Sequence, residues 1–62
     1  MTVASGKVDK AVFWPLGSQI YACELFKDGI LVGTMNDTHG AFLHLVKEHL
    51  EEKYTDIEIE VK

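Results

Sequence analysis

His44, Glu48 and Glu52 stand four residues apart in the second half of a 62-residue chain. On a helix that spacing brings all three to one face, where an imidazole nitrogen and carboxylate oxygens could hold a divalent cation such as zinc. A catalytic zinc site needs further fixed ligands and a supporting shell around them. His39 and His49 are each turned more than about 100° from His44 on the same helix, so neither adds a ligand to the row. Ordinary i,i+4 pairing on a solvated helix face is the favoured account of the row.

The other chemical residues are sparser. Cys23 lies among Tyr21, Ala22 and Leu25; a reactive thiol wants an electropositive, partly open place, and these neighbours make it a small buried hydrophobe. Ser5-Gly6-Lys7 has the look of the end of a phosphate-binding loop, but no glycine stands five residues before Gly6, and Val8 replaces the hydroxyl that would meet magnesium. Ser5 and Ser18, the two serines, have no histidine beside them. Glu58 and Glu60 alternate with apolar residues on one wet face, where neither carboxyl gains the raised pKa of a general acid. These residues predict no enzyme, no cofactor and no resident metal.

Composition narrows the class further. Hydrophobic residues make up 47% and charged residues 26%, too apolar for a disordered, highly charged tail. A single cysteine closes no internal disulfide, and the longest apolar run, Ala11 to Leu16, is six residues, against about 20 for a membrane span. The first residues lack the basic and then apolar order of a secretion signal, so the expected location is the cytoplasm. The ten acids outnumber the six lysines, there is no arginine and the net charge is −4, which disfavours nucleic acid. The imbalance is local. Residues 1–36 carry three acids and three lysines, whereas residues 37–62 carry seven acids and three lysines, the whole excess of four.

The elements that must position these residues follow from periodicity. Residues 1–6 have no period and are expected to form a flexible N-terminus, with residues 7–62 a single α+β domain. Val8, Ala11, Val12, Phe13 and Trp14 predict a strand from Lys7 to Leu16, ending or lying at an edge at Pro15, then a turn at Gly17-Ser18. Gln19 to Phe26 and Ile30 to Met35 flank Asp28-Gly29, the signature of a two-residue type I′ hairpin. That hairpin pairs Lys27 with Ile30, Leu25 with Val32 and Cys23 with Thr34. It shows Tyr21, Cys23, Leu25, Ile30 and Val32 on one face, and Ile20, Ala22, Phe26, Leu31 and Met35 on the other. Asn36-Asp37-Thr38 offers N-cap oxygens for a helix from about His39 to Tyr54, with Phe42, Leu43, Val46, Leu50 and Tyr54 in one stripe. Ile57 to Lys62 alternates strictly and reads as a last strand. The order is β-β-β-α-β, a mostly antiparallel sheet with one helix on one face. In architecture alone, without shared motif residues, that layout resembles the HicB-type antitoxin domains.

One helix covers one face of such a sheet, and both faces of the first three strands carry apolar residues. A second copy of the chain is the commonest cover for such a surface, so the sequence predicts a homodimer that self-associates through Trp14, Leu45 and His49. Core positions are expected at Val12, Tyr21 or Ile20, Leu25, Phe26, Leu31, Val32, Phe42, Val46, Leu50, Ile57 and Ile59. The acidic residues Glu51, Glu52, Glu58 and Glu60 form the expected partner-binding face, suited to a basic protein surface. A short, acidic, arginine-free chain without catalytic groups suits a non-enzymatic protein–protein interaction module, such as a phage- or mobile-element-encoded inhibitor or accessory subunit. The alternative is a small ligand- or metal-binding protein using His44, Glu48 and Glu52. Neither a nucleic-acid nor a membrane partner is expected.

Overall fold

The computed structural model describes residues 8–62; the N-terminal segment 1–6 and Lys7 lie outside the described residues. Strands β1 (Lys10–Gly17), β2 (Ile20–Lys27) and β3 (Ile30–His39) form an antiparallel meander, and a 3-10 turn (Gly40–Phe42) leads into helix α1 (Leu43–Lys53). Strand β4 (Glu58–Val61) then pairs parallel to β1, giving the sheet order β3-β2-β1-β4. The α+β class and the β-β-β-α-β order are therefore those read from the sequence. Strands β3 and β4 run in the same direction at opposite edges, so α1 carries the chain across the sheet, as a parallel connection requires. No helix among the described residues is long and apolar enough to cross a membrane.

The core lies between the helix and one sheet face. Ala11, Phe13 and Cys23 point up from the two central strands, and Leu50 and Tyr54 point down from the helix side, with Val8 closing one end. Phe13 and Ala11 are fully buried, and Cys23 and Leu50 nearly so. Tyr21, Leu25, Met35, Leu43, Val46, Ile57 and Ile59 pack around them half-buried. Leu31, Val32 and Phe42, expected in the core, are instead more than half or half exposed at 50%, 53% and 56%. They lie at the β3 side, where the single helix gives no cover.

Several local expectations change for identifiable reasons. The Asp28-Gly29 turn forms as expected, with φ of 53° and 81° and Lys27 opposite Ile30. A bulge after Leu31 then shifts the register, so that Leu25 pairs with Gly33 and Cys23 with Met35. One extra residue reverses every side chain beyond it, and Met35 consequently joins the core face. The first turn falls at Ser18-Gln19, both at positive φ (51° and 63°), rather than at Gly17-Ser18. Pro15 neither ends β1 nor lies on an edge strand. The Phe13 carbonyl accepts from Lys62 N–H, so odd-numbered residues of β1 turn their main-chain groups toward β4. Since β4 pairs only as far as Phe13, the missing amide of Pro15 faces past its end and costs no ladder bond.

The helix starts later than its sequence suggested. Thr38 and His39 still pair with Tyr21 and Ile20, so Asn36-Asp37-Thr38 belongs to the strand and cannot cap. His39 caps the 3-10 turn instead, its Nδ1 accepting from Ala41 N–H at 3.0 Å, and α1 itself begins after Phe42 without a side-chain cap. Gly40 N–H donates to the Gln19 carbonyl at 2.7 Å. A Cβ on Gly40 would sit 3.4 Å from Tyr21 Cε1 and 3.5 Å from that carbonyl, ordinary van der Waals contact, so the position has room for a methyl group.

Candidate interaction surface

The sheet face opposite the helix is covered by its own long side chains. Lys10 Nζ lies 3.0 Å from Glu60 Oε1, and Lys62 Nζ lies 2.8 Å from Glu60 Oε2. The Lys62 ammonium also stands 5.2 Å from the centre of the Trp14 ring, whose Nε1–H donates to Glu24 Oε1 at 2.8 Å. Val12 is flanked by all of these: Glu24 and Glu60 are its cross-strand partners, and Lys10 and Trp14 stand two residues to either side. Its exposure is only 5% with no second layer present, because aliphatic stems and an indole ring shield it while their polar ends stay wet. Glu60 is held below the usual carboxylate range by its hydrogen bonds from Lys62 and Lys10, and Lys10 is raised by the same bond to Glu60. The outer face thus needs less cover than its count of apolar residues implied.

The residues expected to bind partners are distributed over both layers. Trp14 stands on the outer sheet face, whereas Leu45 and His49 stand on the helix, across the sheet from it. The structure does not bring these three together. Glu58 and Glu60 lie on the outer face of β4, Glu60 closed by two lysines, while Glu51 and Glu52 are exposed on α1. The acidic face is therefore two patches on opposite layers, and Glu51, Glu52 and Glu58 are its unpaired members among the described residues.

The other residues whose types could do chemistry lie apart from one another. His44, Glu48 and Glu52 are exposed along α1, and among the described residues no three His, Cys, Asp or Glu side chains come together as a metal would need. Burial, followed by the charge of Glu24, pushes the Cys23 thiol up to about 11. Ser18 sits on a turn, and Ser5-Gly6-Lys7 lies outside the described residues. An open hollow of about 530 Å³ beside the Asp28-Gly29 turn is lined by Asp9, Lys10, Phe26, Asp56 and Glu58 among others. Its carboxylates outnumber its lysine, so it favours cations, and no serine, threonine, cysteine or histidine is among its lining residues.

The largest apolar exposure lies elsewhere. Of the eight large hydrophobic side chains exposed among the described residues, Ile30, Leu31 and Val32 are on β3 and Phe42 and Leu45 follow directly after it. Strand β3 is ten residues long, and among the described residues no strand pairs with its outer edge. Even-numbered residues of β1 face β2, so Ala22 and Glu24 face back toward β1 and Cys23 and Leu25 face β3. Their partners Met35 and Gly33 face inward, which leaves the amide and carbonyl of Thr34 directed out of the sheet. A Cβ on Gly33 would meet nothing within 4 Å, so the helix side of β3 is open above it. Sequence reading placed Leu31 and Val32 in the core and missed this edge. The available signal was a long strand free of lysine, arginine and proline beside a short, charged last strand.

Comparison with known protein families, with curated proteins and with solved structures finds no match to this chain.

Proposed function

We propose that this protein is a non-enzymatic protein–protein interaction module, an inhibitor or accessory subunit that acts by docking. The observation that carries the reading is the concentration of exposed apolar side chains on and just after β3, five of the eight among the described residues. Exposed apolar side chains gathered along one element are characteristic of binding sites on small domains. An edge strand with free main-chain groups can add a strand from a partner, with backbone bonds supplying affinity and flanking side chains specificity. Glu51, Glu52 and Glu58 supply a negative field that speeds encounter with a basic partner without forming the contact core.

Site-specific photo-cross-linking tests this reading directly. A photoreactive residue at Leu31 or Phe42, in protein expressed in its native cells, should give discrete protein adducts. The same residue at Glu48, on the solvated helix face, should not. Absence of adducts from both Leu31 and Phe42 would contradict the docking role.

A further inference from the structure

We infer that the first occupant of the β3 edge is a second copy of this chain, paired antiparallel through β3 about a two-fold axis near Thr34, which joins two four-stranded sheets into one of eight. The inference deepens the interaction reading above and rests on it.

The edge is self-complementary in sequence direction. Ile30, Leu31 and Val32 occupy the first residues of β3, while Phe42 and Leu45 rise from just beyond its end. Antiparallel pairing about Thr34 lays each copy's Ile30, which shares the helix face with Lys27, beside the end of the other strand, where Phe42 and Leu45 rise on that same face. It sets Leu31 and Val32 against Asp37 and Asn36 of the second copy, each contact made twice over as an isologous interface requires. Right-handed crossovers are the rule for a helix linking two parallel strands. That hand turns the Phe42, Val46 and His49 flank of α1 toward β3, above the open space over Gly33, and turns Glu48 and Glu51 toward β4.

Charge selects the same edge. A chain of net charge −4 repels its own copy over most of its surface, and β4 presents Glu58 and Glu60 at the opposite edge. Strand β3 carries one charged residue, Asp37. Pairing about Thr34 sets the two Asp37 side chains six ladder positions apart, about 20 Å at the rise of a strand. The register irregularities of β3 lie on either side of Gly33–Met35, so the regular segment that can continue the ladder is centred where the axis is placed. A stable interface takes about 800 Å² from each partner, roughly a fifth of the 4192 Å² surface of this chain, so pairing must bury exposed apolar side chains beside β3 as well as its main chain.

Sedimentation equilibrium of the purified protein, with two edge variants, decides the matter. The wild type should behave at tens of micromolar as a dimer of two 7.0 kDa chains. Thr34→Pro removes only an amide directed away from the sheet, and Leu31→Glu places a carboxylate opposite Asp37 of the second copy. Each should weaken self-association by about tenfold or more while the circular dichroism stays that of the wild type. Should Thr34→Pro fail to fold, Leu31→Glu decides alone. A wild-type monomer up to millimolar concentration, or a dimer indifferent to Leu31→Glu, overturns the inference. A monomer that still gives photo-adducts to other proteins from Leu31 overturns self-pairing alone and leaves the docking function standing.

Discussion

Lys10 reaches diagonally across the parallel β1–β4 pair to Glu60, 3.0 Å away, rather than to Glu58, its direct cross-strand partner. The diagonal choice places a salt link beside Val12, the cross-strand partner of Glu60, and lets Lys62 close the other carboxylate oxygen at 2.8 Å. A charge ladder therefore seals an apolar residue on a face that no second layer covers among the described residues.

Acid should open this ladder. Glu60 has a lowered pKa in the folded protein, so its stabilisation is present above the unfolded carboxylate value, about 4.3, and is lost as pH falls through the folded value. Lys10 has a raised pKa, so its share persists below about 10.4 and fades as pH rises beyond that. The melting temperature should fall on acidification below the ordinary glutamate range. Glu60→Gln should remove part of that acid dependence and leave the neutral-pH fold intact. An unchanged acid limb in Glu60→Gln would show that the ladder contributes nothing.

The core prediction centres on Leu50, which packs with Phe13 and Cys23 at 1% exposure. Leu50→Ala should cost about 2–5 kcal/mol through lost transfer energy and the cavity left behind. For a domain this small that is enough to unfold much of the population. Urea titration followed by circular dichroism measures it, and a loss below about 1 kcal/mol would contradict the packing described.

Cys23 offers a second probe of the same core. Its pKa is pushed up to about 11 by burial and by Glu24, so the folded protein holds the neutral thiol. Stability is fully present below the unfolded thiol value, about 8.5, and declines as pH rises toward 11, a loss of about 3 kcal/mol over the window. Ellman's reagent at mildly alkaline pH should react slowly with native protein and promptly in denaturant. Prompt reaction of the native protein would mean that the sheet opens readily at β2.

Steering should reside in the helix. The alternating pattern of the last strand alone makes Glu58 and Glu60 equivalent surface charges, free to be reversed. In the fold, Glu60→Lys sets three ammonium groups side by side with Lys10 and Lys62 and should destabilise the protein. Glu51→Lys with Glu52→Lys is the clean test, since both side chains are exposed on α1. Stopped-flow association with a basic partner should slow in that double variant, and added salt should erase the difference. A rate indifferent to both changes would assign these residues to solubility alone.

The order of elements, the Asp28-Gly29 turn and the Leu43–Val46–Leu50 stripe were legible in the sequence because each depends on local spacing. The bulge that sends Met35 inward was not, since nothing within Ile30–Met35 signals one extra residue. Nor was the cap: Asn36, Asp37 and Thr38 have better capping side chains than His39, but pairing with β2 holds them in the strand. The acidic residues were correctly recognised as surface, yet their division between two layers depends on which face α1 covers. Leu31, Val32 and Phe42 looked like core because apolar type does not reveal that a single helix stops short of β3.

Amide hydrogen exchange at Thr34 tests the central claim, that β3 is a pairing edge, most directly. In the isolated chain that amide is directed out of the sheet and must exchange as fast as an exposed amide, while a β3–β3 pair protects it. The account predicts protection of Thr34 at high protein concentration that disappears on dilution, in step with dissociation. Rapid exchange of Thr34 at every concentration, with Phe13 and Cys23 protected throughout, would contradict it.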